Sequence, residues 1–180
     1  MTPMPSRTIR PLTRHDVAAL QSIDQAAHGE QWSQRIFQDE LEHDDRIHLV
    51  AEADQQVIGH AAAFVDGPSC RITNVAVAAD SAGNGHGSAL LMALLRTVLT
   101  HRISNLQLEV RPSNRRAQRM YSRFGFVPVG VERNFYGHAD ERGSFDALVM
   151  MVADVHADAF RGRLDDLQEL LAAREPGAAA

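Results

Sequence analysis

Three glycines at alternate positions, Gly83, Gly85 and Gly87, separate an alternating apolar segment from a leucine-rich one. The preceding residues, NVAVA, have the period of a strand, and the following residues, SALLMALL, have that of a helix. The first N–H groups of a helix lack backbone partners and lie at the positive end of its dipole, and glycine lets a bulky anion approach them. The segment predicts either a phosphate-binding loop or a strand-to-helix turn that simply needs glycine.

The spacing of these glycines excludes two widespread phosphate-binding motifs. The dinucleotide fingerprint is G-x-G-x-x-G, whereas this chain has G-x-G-x-G. The P-loop requires Lys followed by Ser or Thr, and no such pair follows here. An anion site at this position would therefore be of a third kind.

A carboxylate and a phenol lie in the two elements that follow. Glu109 alternates with Leu108 and Val110 in the strand-like segment NLQLEVR, so it lies on the opposite face from them. It is either a general base or a solvated strand residue. Tyr121 lies two helical turns after Asn114 and is either a general acid or a core aromatic residue whose hydroxyl needs a partner.

Composition narrows the class of protein. The 180 residues fit one domain, and the net charge of −5 with no long basic block predicts no nucleic-acid binding. The single cysteine, Cys70, permits no disulfide within the chain and favours a reducing, cytoplasmic compartment. No apolar run has the ~18 residues of a membrane span. None of the nine histidines lies in a metal-binding motif, so we expect no metal.

The hydrophobic periods predict a mixed α/β (α+β) fold. The chain order is a strand, two helices, three strands, a helix, a strand, a helix and two strands. Ser33 is the expected N-cap of the second helix, with Trp32 and Phe37 as its hydrophobic staple. The last two strands are expected within FVPVGVERNFY and SFDALVMMVAD. The order predicts a twisted, mixed sheet of about seven strands with helices on both faces.

The C-terminal segment is expected to form an extension. Residues 7–153 would form the domain, and residues 154–180 an amphipathic helix followed by a flexible tail. The helical pattern consists of Phe160, Leu164, Leu167, Leu170 and Leu171. This helix either packs on its own domain or docks a partner.

Three segments, NVAVAADSAGNGHGSALLMALL, LEVRPSNRRAQRMYSRFGF and VERNFY with DALVM, together resemble the GNAT superfamily of acetyl-CoA-dependent N-acetyltransferases. The resemblance covers residues 7–153 and is greatest to the bacterial members that acetylate the N-terminal alanine of a ribosomal protein. It implies acetyl-CoA as co-substrate, no metal, and a protein or peptide N-terminus as acceptor in a direct ternary complex. Two alternatives stay open: a small-amine or lysine acetyltransferase of the same fold, and a weakly active CoA-binding scaffold module.

The resemblance also implies a cofactor-binding set. Its members are Val75, Ala76, Val77, Gly83, Asn84, Gly85, His86, Gly87, Ser88 and Asn114. The strand residues would pair with the pantetheine arm, with the N–H of Val77 as oxyanion donor, and the loop would bind the pyrophosphate. The family places Gln or Arg where this chain has Ala82, and often Arg where it has Asn84. These departures predict weaker binding of acetyl-CoA, with binding retained.

The resemblance assigns the remaining roles. Glu109 would be the general base, directly or through a water, and Tyr121 the general acid for the leaving thiolate. Asn114 would contact the cofactor or cap its own helix. The acceptor would be framed by residues 28–32, which include Trp32, and by residues 133–136, which include Tyr136. Glu30 would attract the amine or be solvated.

Overall fold

Within residues 7–29, 32–140 and 143–173, which the computed structural model describes, seven strands and five α-helices follow the predicted order. The strands are β1 (Thr8–Pro11), β2 (Arg46–Ala53), β3 (Gln56–Asp66), β4 (Ser69–Val77), β5 (Asn105–Val110), β6 (Val127–Glu132) and β7 (Ala147–Val152). The helices are α1 (Val17–His28), α2 (Gln34–Glu42), α3 (His86–Val98), α4 (Arg115–Arg123) and α5 (Asp158–Ala172).

The boundary between α1 and α2 has the predicted local chemistry. Helix α1 ends at Gly29, whose φ of 72° is left-handed and therefore suits glycine. The Ser33 hydroxyl accepts a hydrogen bond from the Ile36 N–H at 3.3 Å and so caps α2. The rings of Trp32 and Phe37 lie 5.7 Å apart, which confirms the hydrophobic staple.

The sheet has the order β1-β2-β3-β4-β5-β7-β6, and its only parallel pair among the described strands is β4 with β5. These two strands pair from Ser69 opposite Asn105 to Ile72 opposite Leu108. Beyond Ile72, β4 continues to Val77 paired with β3 alone. The sheet therefore splits between β4 and β5, and one edge of β4 is exposed along the split.

The last two strands are shorter than the sequence predicts. Strand β6 ends at Glu132, and Asn134 has a left-handed φ of 53°. The Asp146 carboxylate accepts hydrogen bonds from the Asn134 N–H at 3.0 Å and from the Arg133 guanidinium at 2.8 Å. Because these bonds close a loop before β7, the NFY segment leaves the sheet and reaches the split.

Helices cover both faces of the sheet, as predicted. On one face, α3 buries Leu90 and Leu94 against alternate residues of β2 and β3 such as Leu49 and Ala61. On the other face, Phe37 of α2 packs with Val50, the strand neighbour of Leu49. The alternation of the strands assigns successive residues to the two layers.

The C-terminal helix packs on its own domain. Phe160, Leu164 and Leu167 of α5 are buried in the same core as α3. Arg96 of α3 donates to Asp165 at 2.6 Å. Most of the apolar face is thus occupied, with Leu170 left exposed, which favours the first of the two interpretations of this segment. Residues 174–180 lie outside the described residues. Neither α5 nor any other described helix is long and apolar enough to cross a membrane.

Candidate active site

A cavity of about 600 Å³ opens where β4 and β5 separate. Its walls come from the ends of α1 and α4, the two splayed strands and the loop after β6. Six of the predicted site residues line it: Val75, Glu109, Asn114, Tyr121, Trp32 and Tyr136. Residues that are up to 104 positions apart, such as Trp32 and Tyr136, therefore meet in one space.

The unpaired edge of β4 presents main-chain groups to this split. The N–H of Ala78 donates to the Ile58 carbonyl at 2.8 Å, so its main chain faces β3. Because successive strand residues alternate, Ala76 also faces β3, whereas the N–H groups of Val75 and Val77 point toward the split. An amide-bearing ligand could extend the sheet there as an added strand.

The glycine loop exposes the amides at the start of α3. Gly83 and Gly85 have positive φ values of 93° and 81°, which explains why glycine stands at both. The first main-chain hydrogen bond of the helix runs from the Ala89 N–H to the Gly85 carbonyl at 3.0 Å. The N–H groups of residues 86–88 therefore have no partner within the helix, and a helix end of this kind can bind an anion.

Two side chains of this loop, Asn84 and His86, contact other residues of the protein. Asn84 donates weakly to the Ser81 carbonyl at 3.4 Å. His86 is half-buried, and its Nδ1 lies 3.4 Å from the Arg7 guanidinium. Burial, together with the charge of Arg7, lowers the pKa of His86. The amides, rather than these side chains, are the groups suited to hold a phosphate.

Glu109 is positioned on the floor of the split by neighbours on its own face of the sheet. Its side chain is 4% exposed, and its Oε1 accepts from the Gln107 amide at 2.7 Å. The Arg71 guanidinium lies 3.5 Å from the same oxygen. A carboxylate held in this way can accept a proton from a group in the cavity without leaving its position.

Tyr121 lies on the opposite wall, on α4. Its ring is buried and packs edge-on to Phe126 at 6.0 Å. Burial raises the pKa of its phenol, and nearby Tyr136 raises it further, so the hydroxyl stays protonated at neutral pH. Asn114, also on the cavity wall, caps α4 by accepting from the Ala117 N–H at 3.0 Å. Asn114 therefore caps its own helix through its side-chain oxygen, and its side-chain amide nitrogen remains available for another contact.

The loop after β6 is held over the cavity by Arg111, a residue that sequence reasoning missed. The guanidinium lies 3.9 Å above the Tyr136 ring and donates to the His138 carbonyl at 3.1 Å. Arg111 continues the alternation of Gln107 and Glu109, which was the available signal. On the other side of the opening, Trp32 packs edge-on to His48 at 5.9 Å. Glu30 lies outside the described residues.

A buried polar cluster beneath this wall was also missed. His60 Nε2 lies 2.9 Å from Asp24 Oδ1, and its Nδ1 lies 2.9 Å from His48 Nε2. Burial lowers the pKa of His60, against the opposing effect of Asp24, so the ring is neutral and donates from Nε2 to the carboxylate. His48 Nδ1 is 3.2 Å from Glu40 Oε2. Among the described residues, no group of three or more His, Cys, Asp or Glu side chains is arranged to hold a metal ion.

Residues 17–126 match the model of the acetyltransferase (GNAT) family. The chain belongs to this family. The split sheet, the amide-lined edge of β4 and the glycine loop before α3 are thus features of a GNAT fold, and the resemblance seen in the sequence is confirmed. The expectation that the chain is an acetyl-CoA-dependent N-acetyltransferase is confirmed as well.

Individual relatives agree with the family assignment. The chain is 33% identical over 147 residues to the [ribosomal protein bS18]-alanine N-acetyltransferase of Escherichia coli K12, covering 79% of this chain and 95% of that protein. It is 32% identical over 143 residues to the Salmonella typhimurium protein of the same name. The crystal structure of the E. coli ribosomal-protein-S18-alanine N-acetyltransferase superposes with a TM-score of 0.74 at 27% identity, covering 85% of this chain and 97% of that one.

Proposed function

We propose that this GNAT enzyme transfers the acetyl group of acetyl-CoA to the α-amino group of a protein N-terminus, with a ribosomal protein that begins with alanine as the first candidate. The observation that carries the proposal is the cavity itself. It brings Glu109 and Tyr121 from different elements into one space, beside Trp32 and Tyr136 at its opening. The identity of the relatives supports the choice of acceptor.

The main chain would bind acetyl-CoA. The amides of residues 86–88 would hold the pyrophosphate, with Gly83 and Gly85 giving the turn and Asn84 closing it on Ser81. The exposed edge at Val75 and Val77 would pair with the pantetheine amides, and the N–H of Val77 would stabilise the oxyanion. The main chain of Ala76 faces β3, so this residue would support the strand rather than touch the ligand. Asn114 would offer its amide nitrogen while capping α4.

The side chains would carry the proton transfers. An α-amino group titrates at about 7.7–8.0, so roughly a tenth is already neutral at pH 7 and modest base assistance suffices. Glu109 would accept a proton from the attacking nitrogen, directly or through a water. Tyr121, protonated because burial raises its pKa, would donate to the departing thiolate. Trp32 and Tyr136 would hold the first residues of the acceptor. A cytoplasmic location belongs to the same proposal, since Cys70 is a buried, unpaired thiol.

Thiol release from acetyl-CoA tests the choice of acceptor. Initial rates would be compared for an alanine-starting ribosomal peptide, the same peptide with a blocked N-terminus and an internal lysine, and small free amines. We expect the free N-terminus to give the highest kcat/KM and the blocked peptide to give background rates. Equal rates for the blocked peptide would favour lysine acetylation, and higher rates for small amines would favour the other alternative; either result would contradict the proposal. No turnover with any amine, despite binding of acetyl-CoA, would favour the scaffold interpretation.

A further inference from the structure

Asn74 connects the buried polar cluster to the wall of the cavity. Its Nδ2 lies 2.9 Å from Asp24 Oδ1, and its Oδ1 lies 3.0 Å from Nε2 of His28. The Asp24 carboxylate is fully buried and already accepts from His60. Since a carboxylate only accepts, Asn74 must turn its amide nitrogen toward Asp24 and its oxygen toward His28. Nε2 of His28 must then carry a proton.

This orientation determines the tautomer of His28. A neutral imidazole with its proton on Nε2 has its lone pair on Nδ1. The structure gives Nδ1 of His28 no hydrogen-bond partner among the described residues, and the ring is exposed on the cavity wall beside Asn74. The buried cluster therefore presents a proton acceptor at the acceptor end of the cavity. Glu109, by contrast, already has Oε1 engaged by Gln107 and Arg71.

We propose that His28 takes up the proton that the acceptor ammonium loses before attack, with Asn74 and Asp24 as positioning residues. The inference rests on the proposed function. The ammonium N–H bond breaks, the proton bonds to Nδ1 of His28, and the nitrogen keeps the electron pair with which it attacks the thioester carbonyl. The imidazolium still donates from Nε2 to Asn74 and releases its extra proton to water, to which the ring is exposed.

The second proton leaves the same nitrogen when the amide forms, and Glu109 takes it. The CoA sulfur receives a proton from Tyr121, and the proton on Glu109 then returns through water to the Tyr121 phenolate. The transfer therefore releases a net single proton, the one that His28 passes to water. The Asp24 carboxylate holds the Asn74 amide, and Asn74 in turn holds Nε2 of His28. His60 contacts the same oxygen of Asp24 as the Asn74 amide does. The His138 ring lies against Gly29, the residue after His28. Two acceptors thus serve the two protons of one nitrogen.

The test compares wild type, His28→Ala and His15→Ala in thiol release with acetyl-CoA and an alanine-starting peptide. His15 is an exposed histidine on the turn before α1 and serves as the matched control. We expect His28→Ala to lose up to about tenfold in kcat at pH 7, because roughly a tenth of the α-amine is neutral there without the base. The loss should shrink as the pH rises past about 8, because the amine then arrives neutral. Added imidazole should restore part of the rate at pH 7, and calorimetry should show unchanged binding of acetyl-CoA.

Asn74→Ala tests the positioning step. It should show a smaller, pH-dependent loss of kcat, and no further loss when combined with His28→Ala. Thermal unfolding of each variant identifies any loss of fold. If Asn74→Ala unfolds, His28→Ala alone still tests the inference, because His28 is exposed and its substitution should leave the fold intact. Wild-type rates in His28→Ala, or a loss independent of pH and imidazole, would overturn the inference and leave the proposed function standing. A wild-type enzyme inactive on every peptide N-terminus would overturn both.

Discussion

The two ends of the cavity are built in different ways. The proposed cofactor end comes mainly from one continuous segment, residues 75–88, which starts at Val75 on the cavity wall and runs along β4 to the start of α3; it presents mainly main-chain amides. The acceptor end is assembled from α1, β5 and the loop after β6, and presents side chains such as His28, Glu109 and Tyr136. One end depends on backbone conformation, and the other depends on which side chains tertiary packing brings together.

The difference explains why this chain can depart from its family at the cofactor end. Ala82 and Asn84 replace residues that would add a side-chain hydrogen bond and a charge, yet the amides of residues 86–88 are presented all the same. At the acceptor end, single side chains are linked to one another, as Arg111 is to Tyr136 and His138. Substitutions should therefore have larger and more specific effects at the acceptor end and on the proton-transfer residues between the two ends.

Tyr121→Phe should give the largest effect. The phenol is buried and its pKa is raised, so the protonated form persists well above neutral pH and the proposed acid would be available throughout the working range. Its removal is expected to lower kcat about 100-fold or more, with the KM values for acetyl-CoA and peptide within about twofold. The wild-type kcat should also show no decline up to about pH 10, the ordinary pKa of tyrosine. Steady-state kinetics across pH check both points, and a decline near pH 8 that Tyr121→Phe abolishes would contradict them.

Arg111→Ala should act on the acceptor end alone. The substitution removes the cation–π contact with Tyr136 and the hydrogen bonds to His138, so the loop after β6 loses its attachment to β5. We expect the peptide KM to rise about tenfold, because the free energy of one cation–π contact with its hydrogen bonds corresponds to a factor of about that size. The acetyl-CoA KM should stay unchanged. Arg115→Ala, at an exposed position of α4, is the control, since its guanidinium donates to Gln118 on the same helix. Parallel rises in both KM values would show that Arg111 supports the whole cavity.

The periods of the sequence predict most of this fold because most elements have one face in the core; β6, all of whose residues are exposed, is an exception. The strand and helix order, the N-cap at Ser33 and the staple of Trp32 on Phe37 all follow from local patterns. The cofactor end is predictable for the same reason, since it occupies one strand-to-helix junction. The NFY segment continues an apolar pattern but leaves the sheet, because the carboxylate of Asp146, twelve residues after Asn134, accepts a hydrogen bond from the Asn134 N–H.

The buried polar cluster behind the acceptor end was not predicted because its members are remote in sequence. His48 and His60 alternate in their strands as core residues do, and only the pairing of β2 with β3 places their rings 5.1 Å apart. Asp24 occupies a buried position of α1, and it meets Asn74 fifty residues later. Periodicity predicts that such positions are buried, but it does not indicate which polar side chains will form hydrogen bonds with each other.

Gly85→Ala should have the smallest effect and tests the backbone end directly. Gly85 has a φ of 81° with open space around an added methyl, so alanine would be strained without a clash. The strain of about 1 kcal/mol should let the loop relax and turn its amides, which raises the acetyl-CoA KM about fivefold. Gly67→Ala, in the hairpin between β3 and β4 with a φ of 56° and equally open space, is the matched control. Both variants should lose about 1 kcal/mol in denaturant unfolding, and only Gly85→Ala should change the KM. If both variants bound acetyl-CoA as the wild type does, the left-handed conformation of Gly85 would not be what presents the amides.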